Sequence, residues 1–231
     1  AKNFTGIQNI VEADYGGFLS SFSGKNDFAR STRNLHKEWE CINTGIKPYA
    51  SVTSIHTALD CLKSIMEKNN ISVKNIKNIK AKISNPTYVH CAWSYKNHNI
   101  TSAQMNIYYG LALIALEGEL FVNQFSKDKI SNPEILNFMK KITAEVDPKI
   151  ESLGHEFRHM ASIELTTNDN KKFNHTEKYR KGSPENPLTK DQIISKFKTL
   201  AAYSYDDTKI NTIKEKIENI ELSNSIENLI D

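Results

Sequence analysis

Ten consecutive residues, Ile107 to Leu116, carry no charged or amide side chain. The run is too short for a membrane span, which needs roughly 18 apolar residues. Placed on a helix it is apolar nearly all round, so it must be buried on most faces. The run predicts a helix over 102–117, stopped by Gly118. A chain with such a helix needs other elements to cover it, and 231 residues are enough to supply them.

The strongest partner is an amphipathic helix after Tyr49. Ile55, Ala58, Leu59, Leu62 and Ile65 share one face; Ser51 or Thr53 can cap its start and Asn69-Asn70 ends it. Ile76, Ile79, Ala81 and Ile83 predict a strand, closed by Asn85-Pro86. Asn132-Pro133-Glu134 opens another helix, on which Ile135, Phe138, Met139 and Ile142 follow. Residues 158–166 and 172–179 flank Asn168-Asp169-Asn170 as a β-hairpin. Residues 182–188 form a stiff linker, and Thr189 with Gln192 is a capping box for a helix through Tyr203. A last helix carries Ile210, Ile213, Ile217 and Ile220. Near the start, Gly16-Gly17 divides two short helical pieces, with Phe18, Leu19 and Phe22 on one face, and Trp39 is an isolated anchor in a polar stretch. Helices surround strands gathered in the middle, so the fold class is α+β.

Charge narrows the function. Thirty Lys and Arg against 27 Asp and Glu leave a net +3, interleaved and not in a stripe. Nucleic acid is therefore not an expected partner, and neither is a membrane. Three cysteines with no C-x-x-C suggest buried thiols in a reducing compartment. Ala1-Lys2-Asn3-Phe4 lacks the apolar region of a secretory signal. The phosphate-binding, nucleophile-elbow and kinase motifs are missing from the sequence.

Three constellations can carry chemistry. His155-Glu156-Phe157-Arg158-His159 has the H-E-x-x-H zinc pattern, which needs both imidazoles one turn apart on a helix. Gly154 before it and an alternating run after it leave no room for that helix, and no third ligand is evident; a solvated strand entry is the simpler reading. Lys47 precedes a Pro-Tyr turn, and His56 lies at the start of the following helix, where the dipole biases an imidazole to neutral. A neutral His accepts a proton and a Lys holds a carboxylate, although a surface Lys beside a cap-proximal His is the commoner meaning of such a pair. Tyr88, placed in a loop, can donate to a carboxylate; Tyr108 and Tyr109 sit among apolar neighbours and read as core.

Several stretches together resemble the MmgE/PrpD family of 2-methylcitrate dehydratases, cis-aconitate decarboxylases and iminodisuccinate epimerases. They are Phe4-Thr5-Gly6; Lys47-Pro48-Tyr49-Ala50-Ser51 with His56-Thr57-Ala58-Leu59-Asp60; Ser102-Ala103-Gln104 leading to Tyr109; Glu117-Gly118 with Gln124-Phe125; and Lys181-Gly182-Ser183-Pro184-Glu185-Asn186-Pro187-Leu188 before Lys196-Phe197. Each alone is weak, but in the family's order they are specific. The resemblance implies residues 1–45 ending an N-terminal helical domain, 46–184 as an α+β lid domain, and 185–231 as helices returning to the helical domain. It also implies that the chain corresponds to a C-terminal half, with further site His, Lys and Asp residues upstream. Apolar helix faces in 1–45 and 189–231 would then be left exposed and prone to self-association.

The implied reaction is a lyase's. A proton is removed beside a carboxylate of a small di- or tricarboxylic acid, and no cofactor takes part. Lys47 would hold a carboxylate, His56 would act as base or acid or orient Lys47, and Tyr88 would donate a hydrogen bond. Val52 stands where the animal-type decarboxylase has a His, which counts against animal-type decarboxylase activity but not against other members of the family. Decarboxylase, epimerase, an inactive remnant and a complementing subunit stay open. A homodimer when full length, in the cytoplasm or a mitochondrial matrix, completes the expectation.

Overall fold

The structure is a computed structural model that describes residues 9–23, 27–96, 99–223 and 225. Phe4-Thr5-Gly6 lies outside the described residues. The chain divides into two compact units, Ala1–Thr44 and Gly45–Asp231.

In the first unit, the described helices are short: α1 (Phe18–Phe22) and α2 (Phe28–Thr32), followed by a 3₁₀ turn at Glu40–Asn43. The described residues before Gly16 form turns, so among the described residues the helical piece is the one after the glycines. Phe18 and Phe22 touch, with ring centroids 5.0 Å apart, yet Phe22 is 80% exposed. Trp39 is 62% exposed and meets the His36 ring edge-on at 6.5 Å, so among the described residues it is not a buried anchor, contrary to the sequence reading. Helices of five residues bury too little surface to hold it.

The second unit has two layers. Its elements are α3 (His56–Lys68), β1 (Ile76–Ile83), α4 (Asn85–Cys91), α5 (Ile100–Met105), α6 (Ile107–Glu117), α7 (Lys127–Ile130), α8 (Pro133–Met139), β2 (Ile142–Val146), α9 (Pro148–Ser152), β3 (Ala161–Thr167), β4 (Lys172–Glu177), α10 (Lys190–Ala201) and α11 (Asp207–Glu218). The sheet order is β2-β1-β3-β4; β1 runs parallel to β2 and antiparallel to β3. A register shift between Ile76 and Asn78 explains why Ile76 and Ile79, three apart, both point inward.

One sheet face packs under α3 and α6, where Ile79, Ala81, Ile83, Ile163 and Leu165 meet Leu59, Leu62, Leu111 and Leu113 in one core. The other face carries exposed pairs such as Lys80–Glu145 at 3.2 Å. Gly110 lets α6 approach α3 closely; a Cβ there would sit 3.0 Å from Ile55 and 3.2 Å from Leu59. Gly118 takes φ +76 and ends α6 as expected.

Four local expectations need correction. The helix over 102–117 is two helices, because Asn106 is extended and its side chain caps α6. Asn85-Pro86 follows the end of β1 but opens α4, capped by Ser84. Ile142 lies on β2, not on the helix that ends at Met139. Neither Ser51 nor Thr53 caps α3 by its side chain; Thr53–Ile55 is a 3₁₀ turn leading into it. Cys41 is exposed, whereas Cys61 and Cys91 are buried.

On α10 and α11 the capping box of Thr189 and Gln192 is formed, and Ile210 and Ile213 are buried. Ile193, Leu200, Tyr203, Ile217 and Leu222 remain exposed. Among the described residues, no helix is long and apolar enough to cross a membrane.

Candidate functional site

Two stretches cross just before α3. The Ile46 N–H donates to the Gly182 carbonyl at 2.7 Å, and Gly182 N–H donates to Asn186 at 2.7 Å. Gly182 has φ +84, and a Cβ on it would lie 1.9 Å from the Ile46 carbonyl oxygen. A Cβ on Gly45 would lie 2.7 Å from the Gly182 oxygen and 3.5 Å from the Arg180 guanidinium. Both glycines are therefore required by backbone contact. The crossing fixes Lys47 one residue beyond Ile46 and Arg180 two residues before Gly182.

From there Lys47 and His56 converge. Lys47 Nζ donates to the Ser51 carbonyl at 3.2 Å, and His56 Nε2 lies 3.3 Å from the same oxygen. A carbonyl only accepts, so Nε2 carries the proton and Nδ1 is left as a bare acceptor. His56 is 0% exposed, and its Nδ1 is buried with no partner, as is Ser51 Oγ. Lys47 itself is exposed. Burial chiefly drives the His56 pKa down to about 3, with Lys47, Arg180 and His159 adding to the fall and the Ser51 bond opposing it. The imidazole is neutral as anticipated, but burial and not the helix end is the main cause.

His159 joins this group. Its carbonyl accepts from Thr57 Oγ1 on α3, and its Nδ1 is buried without a partner. Burial, then Arg158, Arg180 and His155, bring its pKa to about 4. The Arg158 carbonyl accepts from Ser84 Oγ at 2.6 Å and Thr87 Oγ1 at 2.9 Å, tying this stretch to the start of α4. His155 and Glu156 occupy a 3₁₀ turn that ends at Phe157, so the one-turn helical spacing of a zinc helix is not formed.

Tyr88 is on α4, not in a loop, and is 37% exposed. Its helix packs against the Thr53–Ile55 turn. Among the described residues no hydrogen bond joins it to Lys47 or His56; its hydroxyl acts electrostatically on Tyr108 instead. Tyr109 is core, donating to the Gln124 carbonyl at 2.6 Å.

A separate groove of about 710 Å³ lies between α3 and α10, lined by Tyr49, Asp60, Glu177, Lys181 and Lys196 among others. Lys47, His56 and Tyr88 do not line it. Tyr49 divides the two regions: its ring packs edge-on to His56 at 5.2 Å, and its hydroxyl donates to Asp60 at 2.6 Å. The groove side was missed in the sequence because the partners of Asp60 are the Tyr49 hydroxyl and the backbone N–H of distant Lys181, which no local spacing records.

The buried neutral histidines set a pH dependence. In the unfolded chain each binds a proton below about pH 6.5, while folded His56 stays neutral down to about pH 3. Stability is full above the unfolded pKa and falls as pH drops from there, with a slope of about 1.4 kcal/mol per pH unit for a fully buried ring. Urea unfolding near neutral pH and near pH 5 measures this. His56→Leu is expected to flatten the dependence by about one proton's worth of slope.

The described geometry defines an α+β domain with a cationic cluster at the lip of its sheet-covering helix. The chain belongs to the MmgE/PrpD C-terminal domain family, whose sequence model matches residues 49–222. It is similar to the cis-aconitate decarboxylase-like protein oryM of Aspergillus oryzae, 25% identical over 98% of this chain and 49% of that protein. A cis-aconitate decarboxylase of Aspergillus terreus is 22% identical over 93% of the chain and 46% of its own length. The chain thus spans about half the length of these curated relatives.

Proposed function

We propose that this chain supplies the carboxylate-holding side of a lyase site acting on small di- or tricarboxylic acids, by dehydration of the 2-methylcitrate type or by decarboxylation of cis-aconitate. The observation that carries this is the meeting of Lys47 and His56 on one carbonyl. Among the described residues, no carboxylate lies within ion-pair distance of Lys47. An amine without a protein counter-ion is suited to an anionic substrate.

The roles follow from exposure. Exposed Lys47 holds a substrate carboxylate and offsets the charge that grows on it as the neighbouring proton leaves. Buried His56 is a positioning residue: its Nε2–H fixes the Ser51 carbonyl, and that oxygen orients the Lys47 amine. Tyr88 donates a hydrogen bond from α4. The abstracting base belongs to the half of the relatives that this chain does not span. In dehydration the proton leaves the carbon beside a carboxylate and hydroxide departs with a proton as water; in decarboxylation CO₂ departs, its bonding pair stays on carbon as a carbanion, and that carbanion takes up one proton. Residues 46–184 act as the lid, and α10 and α11 pack with helices of the other half, as their exposed Ile193, Leu200 and Ile217 suggest.

The test is turnover of 2-methylcitrate and cis-aconitate by the protein as it occurs in the cell. Lys47→Ala is expected to lower kcat by about 10²-fold, the scale for removing one electrostatic stabiliser. Undiminished turnover in that variant would remove Lys47 from the mechanism.

A further inference from the structure

Both ends of Lys47 are held. At the main chain, its carbonyl accepts from the Lys196 amine of α10 at 2.8 Å, beside the crossing of Ile46 and Gly182. At the other end, its amine lies on the Ser51 carbonyl at 3.2 Å, the oxygen it shares with His56 Nε2 at 3.3 Å. Where that amine stands therefore depends on where the Ser51 carbonyl points. Residues 48–51 form bends and belong to no helix or strand, so no ladder of their own aims that carbonyl.

Gln104, near the end of α5, aims it from both sides. The Ser51 carbonyl and the Val52 N–H belong to one planar peptide unit and point in opposite directions. The Val52 N–H donates to the Gln104 carbonyl at 3.0 Å, so the Ser51 oxygen cannot turn without breaking that bond. The Gln104 side chain donates from Nε2 to the Ala50 carbonyl at 3.0 Å, which fixes the peptide unit just before. One unit further back, the Ala50 N–H donates to the Leu120 carbonyl at 3.1 Å. Gln104 can serve in this way because α5 stops at Met105. In an unbroken helix its carbonyl would accept from the Tyr108 N–H four residues on. Here Asn106 Oδ1 takes that N–H at 3.0 Å, and the Gln104 carbonyl is released to Val52.

We propose that Gln104 is a positioning residue for Lys47: by holding the two peptide units on either side of Ser51, it places the Ser51 carbonyl and through it the amine that meets the substrate carboxylate. This rests on the role given to Lys47 above. Without the Gln104 amide, the unit between Ala50 and Ser51 is free to turn, and the Ser51 oxygen turns with it. The Lys47 amine then samples several places, and fewer of them offset the charge that grows on the substrate in the transition state. The loss falls on kcat, because a loosely placed amine still attracts a carboxylate, whereas stabilising the transition state needs it in one position.

Turnover of 2-methylcitrate and of cis-aconitate by the protein as it occurs in the cell tests this, in Gln104→Met, Lys47→Ala and the double variant. Gln104→Met keeps the length of the side chain and removes the donor. It is expected to lower kcat about five- to tenfold, the scale of one hydrogen bond, and to leave KM within about twofold. In the Lys47→Ala background the same change should lower kcat no further, since the group through which it acts is gone. If Gln104→Met turns over like the wild type while Lys47→Ala is slow, Gln104 does not position Lys47, and the role of Lys47 stands. If Gln104→Met slows both backgrounds by the same factor, Gln104 supports the fold and not Lys47, and the proposal is wrong. If Lys47→Ala is undiminished, or the wild type turns over neither acid, the role of Lys47 falls and that of Gln104 with it. Should Gln104→Met fail to fold, Gln104→Glu keeps the shape but presents only acceptors to the Ala50 carbonyl at neutral pH. Wild-type turnover in that variant overturns the proposal.

Discussion

Gly182→Ala is expected to destabilise the second unit by at least about 3 kcal/mol, as the sum of a left-handed backbone cost and a backbone clash. The residue sits at φ +84, where an L side chain is strained whatever the space. Its Cβ would also fall 1.9 Å from the Ile46 carbonyl oxygen and 3.3 Å from Pro48 Cδ. The first of these atoms is main chain and cannot swing aside. The bond from Ile46 N–H to Gly182 would open, and Lys47 would lose its fixed place. For a chain of this size the melting midpoint should fall by about 6–12 °C. A melt within a degree or two of the wild type would show that the crossing is not rigid.

The second large effect is expected at Asn106. It is fully buried and does three things at once. Its Oδ1 accepts from the Tyr108 and Tyr109 N–H groups, at 3.0 and 3.1 Å. Its Nδ2 donates to the Trp93 carbonyl at 2.8 Å. Asn106→Ala removes a helix cap worth about 1 kcal/mol and leaves buried groups unpaired at about 1–3 kcal/mol. A total loss of about 2–4 kcal/mol by urea unfolding is expected. Asn106→Asp should recover the cap but not the bond to Trp93, and should fall between the two. An alanine variant as stable as the wild type would mean that α5 and α6 fuse into one helix at no cost.

Asn106 also shows where periodicity stops being informative. The apolar spacing over 102–117 is continuous, because α5 and α6 both face the same core. Nothing in that pattern records that one amide has left the helical backbone to cap the next turn. The same holds at Asn85-Pro86, where one dipeptide serves equally as the end of a strand and the start of a helix. Ser84 decides the matter by accepting from the Thr87 N–H, and that moves Tyr88 from a loop to a helix. β2 was hidden because Ile142 fits both the face of α8 and the inward side of a short strand. Five residues are too few to separate the two periods.

Strong local signals fared better. The face of α3, the Asn-Pro-Glu start of α8, the box at Thr189 and the β3–β4 hairpin with Asn170 at φ +63 all appear where the residues put them. At the site, the pairing of Lys47 with His56 was legible from their chain positions around a Pro-Tyr turn. That Ser51 is the atom they share was not, since its contribution is a carbonyl and every residue has one. Arg180 and His159 were invisible for a different reason. They reach the group through Gly182 and Thr57, from more than a hundred positions away in the chain.

The sheet order has a consequence for synthesis on the ribosome. β1 is central, but both its partners come later: Ile79 pairs with Ile142 on one side and with Leu165 on the other. When β1 emerges, both its edges are open, and they stay open until some sixty to ninety further residues have been translated. Long-range pairings of this kind slow folding and leave strand edges free to join the wrong neighbour. Lys77, Lys80 and Lys82, spaced along the strand, put charge on the waiting nascent edge and discourage such encounters until β3 and β2 arrive.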